Sequence, residues 1–298
     1  MEIIKSPNFN FIGKKNIAYI FSCVVIIWGM VVLAMRGKDN FGVDFVGGDM
    51  LNVEFKQSIS VNDIRARLKE LNIGSFSVQV LGTEGKEFII KSGPNTSEKI
   101  VEKLETTYGP EGDAFSIKGK SSVSPSMSIS LRKKAFYAFI LGMIGILIYI
   151  TVRFEFRFAV GATLAIFHDI LFVVAVLALT RKQIDASVIA ALLTIAGYSV
   201  NDTVIIFDRI RENIRKTRSD DYFTLFNKSI NETLSRTILT VLTTLFVVLL
   251  LFLIGGETLH IFAFCLLVGF VIGTYSSVFI ASAIVIDWHR WKPHKFKV

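Results

Sequence analysis

The chain has 298 residues, 52% of them hydrophobic and 19% charged, with 26 Phe and a formal net charge of +8. Soluble globular chains average roughly 45–50% apolar and about 25% charged, and here the apolar excess is gathered into long runs. That composition argues against a soluble enzyme and for a polytopic membrane protein, in which positive charge speaks first to orientation and not to a nucleic-acid partner. Cys23 and Cys265 both lie in apolar runs. They form neither a disulfide framework nor a metal cluster, and are expected to act as small hydrophobes.

In chain order, the first apolar run is Ile17–Met35, preceded by Lys14 and Lys15. It is longer than the ~7–15 residues of a signal-peptide core and no small-residue cleavage site follows, so a retained anchor is expected. A block of ordinary soluble composition comes next. Within it Phe41–Asp49 reads FGVDFVGGD, where Gly47 and Gly48 suit a turn into a strand. Asp44 belongs to the same motif, and no helix opens after the glycines, so a phosphate cradle is not expected.

Met50–Lys56 alternates as a strand, and Ser60 can cap a helix over Val61–Leu71 with Ile64, Leu68 and Leu71 on one face. Phe76–Leu81 and Glu87–Lys91 alternate around Gly82–Gly85. A second helix runs from Ser97 to Tyr108, and Ala114–Lys118 supplies a last strand. The order β-α-β-β-α-β predicts an α+β ferredoxin-like domain. It contains no nucleophile–base pair, histidine cluster or phosphate loop, so no catalytic, metal or cofactor centre is expected there.

Five further apolar runs follow: Ala135–Val152, Phe158–Leu179, Ala186–Phe207, Thr237–Ile254 and Leu259–Ile286. Each approaches or exceeds the ~17–25 residues of a spanning helix. The expected organisation is an N-terminus and first helix over 1–35, a domain over 36–131, and a five-helix bundle over 132–298. Six crossings put both termini on one side. Lys5, Lys14, Lys15, Arg153, Arg157, Arg209, Arg211, Arg215, Lys216, Arg218, Lys228, Arg236, Arg290, Lys292, Lys295 and Lys297 flank that side. Arg36, Lys38, Arg132, Lys133, Lys134, Arg181 and Lys182 flank the other, a balance of sixteen to seven. The larger set is expected in the cytoplasm, which leaves the α+β domain outside.

Polar groups within the apolar runs are the candidate functional residues, because ionisable groups in hydrocarbon are costly. His168 and Asp169 fall near the middle of the third run, about 15 Å from either end. Thr194, Tyr198, Asn201 and Asp202 recur at i, i+4, i+7 and i+8 on one face of the fourth, with Ile195, Val200, Val204 and Ile206 opposite. Asp202 lies ~7.5 Å inside the cytoplasmic end. Arg236, opening the fifth run, approaches the same leaflet and can bend inward, so it is the expected positive partner of Asp202, with Thr240, Thr243 and Thr244 continuing above it. The alternative is that these groups only bridge neighbouring helices. Gly269, Gly273 and Ser277 form a small-xxx-small packing face in the sixth run. Asp208–Asn213 is expected to continue the fourth helix as a solvated face.

GVDFVGG after the first helix, FHDI in the third and AGYSVNDTVIIFDRIREN across the fourth resemble the SecD/SecF family of the bacterial protein-export machinery, in its shorter SecF branch. The resemblance covers essentially the whole chain. It implies a member of the resistance-nodulation-division superfamily that pairs with SecD, cooperates with the SecYEG channel and uses the proton gradient to promote export, with the translocating polypeptide as a further contact. It also implies a proton role for the helix-four aspartate and helix-five arginine, which match Asp202 and Arg236. A scaffold that only stabilises the translocase is the second reading. A small-molecule exporter half is a third, disfavoured because one small outer domain leaves little room for a pocket.

Overall fold

The computed structural model describes residues 8–74, 76–81, 85–217 and 221–293. Residues 82–84 of the expected hairpin connection, and Lys5, Arg218, Lys295 and Lys297 of the charge balance, lie outside the described residues. The chain divides into two compact units, residues 1–40 with 137–298, and residues 41–136.

The first spanning helix is α1 (Lys15–Arg36). Among the described residues six helical segments are long and apolar enough to cross a membrane, α1 among them.

The second unit opens with a single turn, α2 (Val43–Val46), and enters β1 (Gly48–Phe55). Gly47 has φ 83° and Gly48 φ 140°, and a Cβ on Gly48 would collide with the carbonyl oxygen of Ser92. Only glycine makes that entry without strain. β1 then alternates, burying Leu51, Val53 and Phe55. α3 (Val61–Lys69) begins at Ser60, whose Oγ accepts from the Asn62 amide at 3.3 Å. β2 (Ser77–Leu81), β3 (Glu87–Ser92), α4 (Ser97–Tyr108) and β4 (Phe115–Val123) complete the unit. The sheet is antiparallel throughout, in the order β2-β3-β1-β4. Its core joins the β1 residues to Ile64 and Leu68 of α3, Phe88 and Ile90 of β3, and Ile100 and Leu104 of α4.

One charge is built into this core. Asp49 is 1% exposed, and no side chain of α4 itself caps that helix. Instead Asp49 Oδ2 accepts from the Thr96 and Ser97 amides at 2.7 and 2.9 Å, while Oδ1 accepts from Ser122 Oγ at 2.5 Å. Burial opposes ionisation, but the bonds from Ser122 and the two amides outweigh it and hold the carboxyl below its ordinary pKa. A carboxylate from β1 thus supplies the cap that α4 lacks, where the helix dipole favours negative charge.

The remaining helices are α5 (Pro125–Arg153), α6 (Phe156–Leu179), α7 (Ala186–Thr217), α8 (Tyr222–Ile254) and α9 (Gly256–Ser276). A π turn, Ser277–Ala281, follows α9 and leads into α10 (Ser282–Trp291). Ser282 Oγ bonds back five residues, to Ser277 O at 3.0 Å. α6, α7 and the α9–α10 segment are about half buried within the protein, whereas α1, α5 and α8 are mostly peripheral. The interior of the bundle is therefore where these three central segments meet.

Hydrogen bonds and an ion pair tie the N-terminal end to the bundle. The Phe9 amide and carbonyl bond to the Asn231 side chain, both at 2.9 Å, and the Ile12 amide donates to Asn227 Oδ1 at 3.1 Å. Lys15 of α1 forms an ion pair with Asp287 of α10, which Tyr19 OH approaches at 3.4 Å.

Candidate functional site

Asp202 is 1% exposed on α7. Its Oδ2 lies 3.1 Å from Thr274 Oγ1 of α9, and its Oδ1 has no hydrogen-bond partner among the described residues. Thr274 Oγ1 is also 3.0 Å from Phe270 O. A hydroxyl has one proton to donate. Given to Asp202, it serves a carboxylate; given to Phe270 O, it leaves the Thr274 oxygen to accept a proton from a carboxylic acid. Either protonation state of Asp202 is accommodated by turning one hydroxyl.

Asp169, 0% exposed on α6, has a fuller shell. Its Oδ2 accepts from Ser199 Oγ of α7 at 2.6 Å and Ser276 Oγ of α9 at 2.8 Å. His168 Nδ1 lies 3.0 Å from Oδ1, so side-chain rotation brings together two neighbours whose Cβ bonds diverge on the helix. His168 Nε2 is buried without a hydrogen-bond partner among the described residues. Next to this shell, Thr203 Oγ1 and Ser277 Oγ pair at 2.7 Å. Gly273 admits the close approach: a Cβ there would stand 3.2 Å from Ser199 Cβ and 3.6 Å from Asp169 Oδ2. Gly269 lies against Ile195 in the same way.

The stripe predicted on α7 divides. Thr194 and Asn201 are exposed, and Thr194 Oγ1 bonds back to Ala190 O at 2.9 Å. Tyr198 is half-buried; its hydroxyl lies 3.1 Å from Thr244 Oγ1 and 3.3 Å from Thr240 O, and its ring centroid is 4.1 Å from that of Phe270. Thr240 Oγ1 bonds within its own helix, to Thr237 O and Arg236 O. The inward polar line is instead Ser199, Asp202 and Thr203, at i, i+3 and i+4. Sequence reasoning missed Ser199, Thr203, Thr274 and Ser276. The available signal was the run Thr274-Tyr-Ser-Ser277 inside an apolar segment.

Arg236 is exposed on α8, one turn before Thr240, whose carbonyl Tyr198 of α7 reaches at 3.3 Å. Among the described residues it forms no ion pair within 4.0 Å. The direct Asp202–Arg236 contact expected from sequence is absent from this arrangement: α7 places Asp202 toward α9, where Thr274 meets it. Asp44, Gly47 and Gly48 lie in the second unit, at the entry to β1. Among the described residues no group of three or more His, Cys, Asp and Glu is placed to hold a metal ion.

Six apolar helices around buried aspartates, with an α+β unit between the first and second, define a multi-pass membrane protein carrying ionisable groups in its interior. The family model described as "Protein export membrane protein SecD/SecF, C-terminal" matches residues 102–291. "Protein translocase subunit SecF" of Thermodesulfovibrio yellowstonii is 41% identical over 296 residues, covering 96% of each chain. The protein of the same name from Rickettsia rickettsii is 37% identical, covering 93% of this chain and 91% of that one. The crystal structure of SecDF from Thermus thermophilus, described as a translocon-associated membrane protein, matches with a TM-score of 0.86 and 35% identity over 95% of this chain. This chain spans 39% of that SecDF chain. It belongs to the SecD/SecF family of protein-export membrane proteins.

Proposed function

We propose that the chain is the SecF-type subunit of a protein translocase in the cytoplasmic (inner) membrane. It pairs with a SecD-type six-helix partner beside the SecYEG channel and uses the proton motive force to promote export of polypeptides. A partner is supported by the share of SecDF left unmatched, since many transporters are built from two related bundles. Cytoplasmic termini are supported by the sixteen-to-seven balance of Lys and Arg. The role is mechanical, not enzymatic.

The observation that carries the reading is Asp202: a buried carboxyl with one oxygen unpartnered among the described residues, on a helix that packs beside the one carrying Arg236. Ionised, it attracts Arg236. A proton removes that attraction, the acid donates to Thr274 Oγ1, and Thr274 turns its own proton to Phe270 O. α7, α8 and α9 then have two arrangements selected by one proton, which is what a conformational cycle needs. Asp169, with three partners, suits the fixed member of the pair, holding α6, α7 and α9 together.

Asp202→Asn keeps the shape and removes the titration. The variant is expected to co-purify with its SecD-type partner while export into vesicles loses its response to an imposed proton gradient. Gradient-stimulated export at the wild-type level would leave the scaffold reading.

A further inference from the structure

The segment Asp208–Asn213, which leaves α7 as DRIREN, has no part in the proton step and was expected to be a solvated face. Asn213 is instead only 5% exposed. Its Nδ2 donates to Ser229 Oγ at 2.9 Å and Glu232 Oε2 at 2.7 Å, both on α8. Arg209 Nε donates to the same Glu232 oxygen at 2.7 Å, and its terminal nitrogen to Glu212 Oε2 at 2.6 Å. One carboxylate oxygen of α8 therefore holds two donors from α7.

Glu232 stands four residues before Arg236. An acid four residues N-terminal to a base is the favoured ion-pair spacing on a helix, so an unoccupied Glu232 would be the natural partner of Arg236. Glu232 Oε2 is occupied by the two donors from α7, its Oε1 stands 4.0 Å from Lys228 Nζ one turn back on α8, and Arg236 forms no ion pair within 4.0 Å among the described residues. Tyr198, one turn before Asp202 on α7, reaches the carbonyl of Thr240, one turn after Arg236 on α8, at 3.3 Å, so the two charged residues lie on facing stretches of these helices.

We infer that Arg209 and Asn213 are positioning residues for the proton step: by gripping Glu232 they keep it from capturing Arg236, so that the guanidinium stays available to Asp202. The inference rests on the reading of Asp202 and Arg236 proposed above. The grip also fixes α8 against α7 one turn from the guanidinium, but that alone would be an ordinary helix contact. The two roles make opposite predictions for removing Glu232 once the grip is broken.

The test uses the full chain with its SecD-type partner in vesicles under an imposed proton gradient. Arg209→Gln releases Glu232 to Arg236 and lowers gradient-driven export by about threefold or more, the scale of one partly exposed ion pair. Adding Glu232→Gln removes the competitor and restores most of the loss. A purely structural contact predicts a double variant no better than the single one, and that result overturns the inference. Should Arg209→Gln fail to accumulate, Asn213→Ala with and without Glu232→Gln supplies the same comparison. Thermal unfolding of the four members of the Arg209/Glu232 cycle in detergent gives a readout independent of export. Additive shifts there would show that the grip does not form, without touching the reading of Asp202. If Asp202→Asn keeps its gradient response, the proton reading itself fails and the inference falls with it.

Discussion

Replacing Asp49 by Ala removes the acceptor on which the first turn of α4 depends. The Thr96 and Ser97 amides and the Ser122 hydroxyl lose their partner together; Asp49 and Ser97 are buried, Thr96 is half-buried and Ser122 is exposed. A buried donor left unsatisfied costs roughly 1–3 kcal/mol, and losing a cap costs about 1 kcal/mol. Fraying of one turn lets water reach the amides, so the net loss should be ~3 kcal/mol, or about a 150-fold change in an opening equilibrium. Asp49→Asn keeps one acceptor oxygen and should lose about 1–2 kcal/mol, chiefly the charge assistance. The pH dependence follows from the depressed carboxyl. The stabilisation is fully present above the unfolded carboxyl value of about 3.9 and is lost as pH falls through the lower folded value. The difference between wild type and Asp49→Asn should therefore be largest near neutrality and close in acid. Hydrogen exchange of the full chain in detergent, read on peptides covering Thr96–Ile100 and corrected for intrinsic rates, measures both effects. Protection in Asp49→Ala within a few-fold of wild type at neutral pH, or an Asp49→Asn deficit that persists unchanged in strong acid, would refute the reasoning.

Gly48→Ala forces a Cβ against Ser92 O at φ 140° and should cost at least ~1–3 kcal/mol, seen as faster exchange across β1 and β3; unchanged exchange would mean the strand entry relaxes. Gly273→Leu over-packs α9 against Ser199 and Asp169, so a loss of ~1–3 kcal/mol is expected in detergent unfolding, and a wild-type midpoint would contradict the close contact. Arg236→Lys should impair gradient-driven export less than Arg236→Ala, since charge survives though the planar fork does not. Equal impairment would assign the role to guanidinium geometry.

The spans were legible because hydrocarbon demands apolar runs of about twenty residues, and each of the six runs became a helix. Helix ends were less legible. α5 starts at Pro125 rather than Ala135, α7 runs through the expected extension over Asp208–Asn213 and on to Thr217, and α8 starts at Tyr222 rather than Thr237. Hydropathy marks where a helix enters water, and backbone hydrogen bonding carries it onward through charged residues. Similarly β4 runs on to Val123, beyond Lys118, because pairing with β1 holds an edge whose side chains are exposed. On α7 the spacing identified a polar face but not its neighbour. Asn201 turned outward, while Ser199 and Thr203, small hydroxyls that barely register in hydropathy, turned to Asp169 and Ser277. Asp208–Asn213 continues α7 as expected and leaves Asp208 and Glu212 to solvent, but the burial of Asn213 depends on α8 crossing over it, which no periodicity within α7 announces.

The π turn at Ser277–Ala281 decides which way the chain's last helix looks. A π turn takes in about one residue more than an α turn, and one residue is about 100° of rotation. Everything after Ala281 is therefore swung roughly a quarter turn from where an unbroken α9 would have carried it, and it is in that rotated phase that Asp287 finds Lys15. The ion pair joining the first spanning helix to the last hangs on a single residue of slack, held at the level of the Ser276 and Ser277 hydroxyls. Deleting one residue between 278 and 281 should turn Asp287 by about 100° away from Lys15.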